Sequence, residues 1–274
     1  MNYIVFHFSV EPHQPGTDVL IALLGELPFE TFVLTEKGVD AFLREEDFST
    51  NLLVDLPDLD FNYSYTTEFI QQQNWNATWE SNFNPVIVED KCVIRASFHK
   101  ATDVNKMDII IDPKMSFGTG HHDTTWLMAS ELFDLDLKNK SVLDMGCGTG
   151  VLAIIAKKLG AKHVHGIDID EWSIENSNEN SKVNNCHDIV FEKGNSSLLS
   201  EKKFDLILAN INRNVLLHDL PVYYTCLNEN GVILLSGFFE NDQKELDQKA
   251  TSLSFSFQKK ETRNNWCLLK YAKN

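Results

Sequence analysis

Cysteine is sparse and unpaired in this chain. The five cysteines, at positions 92, 147, 186, 226 and 267, are an odd number, widely spread, with no CxxC pair. That pattern argues against a disulfide framework and against a structural zinc site. No apolar stretch approaches the ~20 residues that a membrane helix needs. The opening Met-Asn-Tyr-Ile-Val-Phe-His-Phe lacks the basic flank and small-residue cleavage site of a signal peptide, so the cytoplasm is the expected location. Positive charge is also in deficit: 24 Lys and Arg stand against 40 Asp and Glu, a formal net charge of −16 at pH 7. Such a surface repels nucleic acid and attracts a basic partner. What is present, 274 residues at 43% hydrophobic and 23% charged, suits a soluble chain of one large domain or two unequal ones.

The first sixty residues read as a small α+β unit. Residues 3–10 are strand-like, 17–27 helix-like with Asp18 in the first turn, 29–35 strand-like, and 39–44 carry a shorter helical pattern. A further apolar run at 52–56 precedes Pro57. The order β-α-β-β-α-β, or a truncation of it, fits a ferredoxin-like module over residues 1–62. The polar stretch 63–82, rich in Gln, Asn and Thr, reads as a linker that contains a helix. Trp75 and Trp79, four apart, then share one helical face packed on a neighbouring domain. After Asn84, the clusters 86–88, 92–94 and 107–111 predict three short strands.

Residues 141–150 carry the first chemical signal: Ser-Val-Leu-Asp-Met-Gly-Cys-Gly-Thr-Gly. A short apolar run ends at Asp144 and gives way to Gly146, Gly148 and Gly150, and 151–159 has helical spacing, so strand, glycine loop and helix follow in order. Glycines permit positive φ and remove Cβ atoms, letting backbone lie against a ligand. A second strand-like run, 163–167, ends at Asp168, where a doubly wound sheet places a carboxylate for ribose hydroxyls. The glycine spacing is GxGxG, not the GxGxxG of dinucleotide sites, and Asp144 would repel a pyrophosphate. A carboxylate there suits a cationic ligand, and S-adenosylmethionine carries a sulfonium and an ammonium and no phosphate. A third strand, 204–209, ends at Asn210 on the same rim, where its amide can accept from an amine and donate to a carboxylate.

Residues 112–125 read Asp-Pro-Lys-Met-Ser-Phe-Gly-Thr-Gly-His-His-Asp-Thr-Thr and run into a helical pattern at 126–135. A metal site at His121, His122 and Asp123 is disfavoured, because adjacent side chains rarely converge on one ion. Thr124 or Asp123 is the expected helix cap. A polar loop with Gly118 and Gly120 just upstream of a cofactor strand is well placed to cover a bound ligand.

Taken together, the DPxxxFGTGxHxTT-like loop at 112–125, DxGCGTGxLAI at 144–154, GIDID at 166–170 and ANI at 209–211 resemble the bacterial ribosomal-protein lysine methyltransferases of the PrmA type, which modify large-subunit protein eleven. The resemblance spans essentially the whole chain. It implies a Rossmann-like class I S-adenosylmethionine-dependent methyltransferase domain at 83–274, preceded by a substrate-recognition domain at 1–62. It also implies repeated methyl transfer to amino nitrogens of a basic ribosomal protein, with no direct nucleic-acid partner and a monomeric enzyme. The cofactor-binding positions carried over are Thr125, Gly146, Asp168 and Asn210, with Asp144, Gly148 and Gly120 as further candidates. Asn210 is expected to orient the amine, and Phe117 to shield it. His122-Asp123 stands where His-Pro is usual, and Asn212-Arg213-Asn214 replaces smaller or apolar residues after ANI. The alternatives are a methyltransferase of another protein or small amine, and a non-catalytic ribosome-associated protein that keeps the cofactor fold.

Overall fold

The computed structural model describes residues 2–54, 56–57, 59–70, 83–101, 105–112, 114 and 116–274. Trp75, Trp79 and the helix expected around them lie outside those residues. The chain divides into one unit at Met1–Asn82 and another at Phe83–Asn274.

Period-two burial builds the first unit. In β1 (Tyr3–Glu11), Ile4, Phe6, Phe8 and Val10 turn inward onto Leu20 and Leu24 of helix α1 (His13–Leu24). With β2 (Phe29–Thr35), β3 (Gly38–Arg44) and β4 (Asn62–Ile70) they form an antiparallel sheet in the order β2-β3-β1-β4. The expected module is present in truncated form: between β3 and β4 the described residues hold a 3-10 turn, Glu45–Asp47, and no α-helix.

Residues 39–44, expected as a helix, belong to β3, because Val39, Ala41 and Leu43 alternate into the core and the strand pairs on both sides. Over so few residues the helical and strand periods overlap, and sheet partners decide. Residues 63–70, expected as linker, belong to β4, an edge strand paired with β1 along its whole length. Its polarity reflects exposure at the sheet edge and not the absence of structure.

The second unit opens with the three expected short strands, β5 (Val86–Val88), β6 (Cys92–Arg95) and β7 (Met107–Ile110), which form their own sheet. Next come α2 (Asp123–Leu132), β8 (Ser141–Met145), α3 (Val151–Lys158), β9 (His163–Asp168), α4 (Glu171–Val183), β10 (Val190–Lys193) and β11 (Phe204–Asn210). The unit ends with α5 (Arg213–Cys226), β12 (Leu227–Phe239), α6 (Gln243–Ser252), β13 (Phe255–Arg263) and β14 (Trp266–Lys273). Seven strands form one sheet in the order β10-β9-β8-β11-β12-β14-β13, parallel through β12 and antiparallel at the last two.

Central β11 shows why the sheet is covered on both faces. Leu206 and Leu208 join the core with residues of α2 and α3, while Ile207 and Ala209 join the core with residues of α5 and α6. A strand buried on both sides reads as an unbroken apolar run. Each large apolar side chain so buried contributes roughly 1.5–3 kcal/mol, which fixes the strand and the position of its end. The order of strands reverses between β8 and β11, and ligands of such sheets sit beyond the carboxyl ends at that point.

Candidate active site

The carboxyl ends of β8, β9 and β11 open into a cavity of about 930 Å³ whose wall includes Phe117, Gly146, Gly148, Asp168, Trp172 and Asn210. Two glycines are required by space as well as by torsion. At Gly146, φ is +74° and an added Cβ would lie 2.2 Å from Ile211 Cγ2; at Gly148, φ is +53° and it would lie 2.2 Å from the Phe117 carbonyl oxygen.

The glycine loop and the 112–125 loop are clamped together. Thr149 donates its backbone N–H to Phe117 O at 2.9 Å and its hydroxyl to Gly118 O at 2.6 Å. The clamp brings Phe117 to the cavity wall with its side chain largely in solvent. Helix α4 supplies a second tie through asparagines at every fourth position. Asn180 accepts from Asp112 N at 3.1 Å and donates to Thr149 O at 2.9 Å, while Asn176 donates to Asp112 O at 3.3 Å. Asn184, just beyond the helix, exchanges two hydrogen bonds with the Ile110 backbone. Sequence reasoning missed this ladder. Its signal was polar residues at i, i+4 and i+8, where an apolar stripe would face the core.

Asp168 sits where expected. One carboxylate oxygen accepts from Gly148 N at 2.9 Å and the other from Asp170 N at 3.0 Å. A carboxylate offers about four acceptor positions, so about two remain for ligand hydroxyls. Asn210 also lines the cavity; its amide donates to Thr125 Oγ1 at 3.4 Å, and its Oδ1 is buried with no hydrogen-bond partner. A buried acceptor without a donor costs about 1–3 kcal/mol, which a ligand N–H would recover.

Three candidates lie behind the wall. Thr125 is buried and meets the site through Asn210, whose amide donates to its Oγ1. Gly120, at φ +92°, turns the chain where an added Cβ would lie 2.9 Å from Ile94 Cδ1. Asp144, buried at the end of β8, accepts from Ala153 N at 3.0 Å and so satisfies one first-turn N–H of α3, whose N-cap is Gly150.

Burial pushes the Asp144 carboxyl up to about 7, with the Ala153 hydrogen bond opposing the shift and the negative charge of Asp168 adding to it. A carboxyl whose folded pKa is raised binds a proton on folding. Its stabilising contribution is complete at low pH and declines as pH rises from its unfolded value, about 3.9, through about 7. Asp144→Asn keeps an acceptor for Ala153 N and removes the titration. Urea unfolding of the ligand-free variant should therefore lose the wild-type decline between about pH 4 and 7, a difference on the order of 4 kcal/mol at pH 8.

Neighbouring motif residues have structural partners. His121 Nε2 lies 2.8 Å from Asn84 O. His122, and not Thr124 or Asp123, is the N-cap of α2: its Nδ1 accepts from Thr124 N at 3.3 Å. Asp123 pairs with Arg263 at 2.7 Å and accepts from Asn264. The unusual Asn212-Arg213-Asn214 also has a local reason, since Asn212 caps α5 by accepting from Val215 N at 3.1 Å and Arg213 pairs with Asp242 at 2.9 Å. Further wall residues that sequence reasoning missed are Ile169, Trp172, Asn195 and His218. The adjacent acidic strand end was the signal for the first two.

Comparison with known proteins agrees with this geometry. The family model described as "Ribosomal protein L11 methyltransferase (PrmA)" matches residues 23–274. A ribosomal protein L11 methyltransferase of Phocaeicola vulgatus is 42% identical over 278 residues, covering 99% of both chains. Its counterpart in Chlorobaculum tepidum is 36% identical, covering 85% of this chain and 88% of the other. The crystal structure of ribosomal protein L11 methylase from Lactobacillus delbrueckii subsp. bulgaricus superposes with TM-score 0.65 at 30% identity, covering 70% of this chain and 100% of that one. A methyltransferase from Pyrococcus furiosus, at TM-score 0.53 and 18% identity, shares the fold. The glycine loop, Asp168 and Asn210 thus stand in a Rossmann-like S-adenosylmethionine-dependent methyltransferase, and the chain belongs to the ribosomal protein L11 methyltransferase family.

Proposed function

We propose that this protein methylates amino nitrogens, lysine ε-amino or α-amino groups, of ribosomal protein L11. The observation that carries the reading is Asn210 Oδ1, a buried acceptor without a partner in a residue of the cavity wall, which suits an amine N–H. The residues fit S-adenosylmethionine: Gly146 and Gly148 leave backbone bare for close approach, and Asp168 keeps acceptor positions for hydroxyls. When bound, this cofactor supplies a methyl carbon on a positively charged sulfur.

The chain's own residues must then present a neutral nitrogen. A lysine, with a reference pKa near ~10.4, needs about three pH units of deprotonation, on the order of 4–5 kcal/mol; an α-amino group needs about one unit. Removing the ammonium from water beside another cation favours its neutral form. Alignment of nitrogen with the methyl carbon contributes several further kcal/mol. In this reading Asn210 orients the amine, Thr125 fixes the Asn210 amide, and Phe117 shields the site. The unit at Met1–Asn82 recognises the substrate protein, whose basic surface the −16 chain attracts at long range. The enzyme works as a monomer in the cytoplasm. Among the described residues no helix is long and apolar enough to cross a membrane.

Incubation with labelled S-adenosylmethionine and a bacterial ribosomal-protein extract, followed by peptide mass spectrometry, should place label on L11; label elsewhere would overturn the substrate assignment. Asn210→Ala should lower kcat about 100-fold, the usual scale for losing one positioned hydrogen-bonding group. Unchanged turnover and cofactor affinity would remove Asn210 from its role.

A further inference from the structure

We propose that Lys138, Lys140, Lys158, Lys162 and Lys203, at the amino ends of the central strands, form a docking face for the phosphate backbone of RNA. The choice of RNA among polyanions rests on the L11 reading above, because a ribosomal protein is assembled on RNA. Three adjacent parallel strands, β9, β8 and β11, are each preceded directly by a lysine: Lys162, Lys140 and Lys203. Backbone contacts fix the three side by side. Lys162 N donates to Lys140 O at 2.8 Å, and Ser141 Oγ donates to Lys203 O at 3.4 Å. Neighbouring strands lie about 4.8 Å apart, so the three exposed side chains start from a row about 10 Å long. Two more lysines flank it. Lys158 ends α3, and Lys138 lies against Gly160, whose carbonyl accepts from Asn139 N at 3.1 Å.

These charges are not neutralised within the protein. Lys138, Lys140, Lys158 and Lys162 form no ion pair among the described residues, and Lys203 Nζ donates to a carbonyl, Thr225 O, at 2.6 Å. The carboxylates at this edge are engaged elsewhere. Asp188 pairs with Lys157 at 2.6 Å, Glu192 pairs with Lys202 at 3.2 Å, and Asp136 accepts from Lys138 N at 3.2 Å. Asp205 feels the charge of Lys140 but spends its oxygens on Ser141 N, Ser141 Oγ and Asn228 Nδ2. The net charge of the chain hides this face. Residues 1–82 hold 2 Lys and Arg against 14 Asp and Glu, whereas residues 83–274 hold 22 against 26. Within the sheet the signs also separate: β8 and β9 follow Lys140 and Lys162 and carry Asp144 and Asp168 toward the cavity end. With a Debye length of about 10 Å at 0.1 M salt, each face acts through its own charges.

A nucleic-acid backbone fits this arrangement. One strand carries a charge about every 3.4 Å of rise, so a row about 10 Å long faces about three phosphates, and Lys138 and Lys158 reach the next ones. Lysine serves as a point charge that needs no fixed orientation, which suits a backbone of any sequence. Contacts of this kind position a protein without reading bases. The cofactor cavity opens at the other end of the same strands, so a chain docked this way keeps its reaction site uncovered. Docking then raises the local concentration of enzyme around RNA-bound ribosomal proteins.

Fluorescence anisotropy with the full chain and a labelled single-stranded RNA of about 20 nucleotides tests this. Binding should be micromolar at about 50 mM salt and weaken about 50-fold at about 200 mM, as four neutralised phosphates require at about −0.7 each in the logarithmic salt slope. The double variant Lys140→Gln, Lys162→Gln should bind about 10-fold more weakly at the lower salt, with a slope shallower by about 1 to 2. Its S-adenosylmethionine affinity and its turnover on isolated L11 should stay within about 2-fold of wild type. A control pair on α6, Lys244→Gln with Lys249→Gln, should leave RNA binding within about 2-fold. No RNA binding by the wild-type chain at the lower salt, or equal losses in the two pairs, would overturn the docking face. Poly-glutamate or phosphatidylserine vesicles binding as tightly as RNA would overturn the choice of RNA. L11 methylated by a chain that ignores RNA would sink the docking face alone, and RNA bound at these lysines with L11 unmethylated would keep the face and overturn the L11 assignment.

Discussion

Replacing Asp168 by alanine is expected to raise the Kd for S-adenosylmethionine by roughly 100- to 1000-fold. The carboxylate already accepts from Gly148 N and Asp170 N, one on each oxygen, and keeps about two positions for ribose hydroxyls. Hydrogen bonds to a charged group are worth about 1.5–3 kcal/mol each, so two lost bonds amount to about 3–4 kcal/mol even near the lower end. At 1.4 kcal/mol per tenfold, that gives the stated range. The variant also removes the acceptors that hold Gly148 N and Asp170 N, so the two strand-end loops loosen together. Asp168→Asn should fall between wild type and alanine, because its amide keeps one acceptor oxygen but turns a donor toward a backbone N–H. Calorimetric titration reads the affinity, and thermal unfolding of the ligand-free variants separates binding from folding. An affinity within threefold of wild type would show that Asp168 does not hold the cofactor.

Gly148→Ala should act through the other half of the site. At φ +53° an L-residue carries a strain of about 1–2 kcal/mol, and the new Cβ would lie 2.2 Å from the Phe117 carbonyl oxygen. That oxygen is backbone and cannot rotate away. Relief requires the two loops to part, which breaks the hydrogen bonds from Thr149 N to Phe117 O and from Thr149 Oγ1 to Gly118 O, about 1 kcal/mol net each. The total, about 3–4 kcal/mol, falls on the loop pair and not on the cores, so cofactor affinity should drop about 100-fold while far-UV circular dichroism is retained. Proteolysis within 112–125 should quicken. Gly160→Ala is the control: φ is +102° there, but the nearest atom to its added Cβ is 3.6 Å away, so torsional strain acts alone. Equal affinity in the Gly148 and Gly160 variants would show that the loop contact is irrelevant to binding.

Legibility varied with the distance over which a residue finds its partners. β8, the glycine loop and α3 were readable because torsion, spacing and periodicity there are local. The polar, Tyr- and Thr-containing β4 was not, because an edge strand with exposed side chains has no hydrophobic alternation to show. The β13–β14 hairpin passed unread although its turn had a signal: Asn264 and Asn265 both adopt positive φ, as a two-residue hairpin loop requires. Asp144 was legible as a carboxylate beside the glycines, but not in its direction; its oxygen turns to the third residue of α3 and not into the cavity.

By itself, then, the sequence determined the local machinery. Gly146 and Gly148 admit the positive φ their turns need, Asp168 and Asn210 end strands that run to the same rim, and an unbroken apolar run in β11 demanded burial on both faces. Only the tertiary structure decided which side chains converge. Phe117, Trp266 and Phe239 meet across widely separated segments, and Asn176, Asn180 and Asn184 find their partners in β7 and in the two loops. Such contacts are set by sheet order and strand register, which are properties of packed cores and which no short window of residues contains.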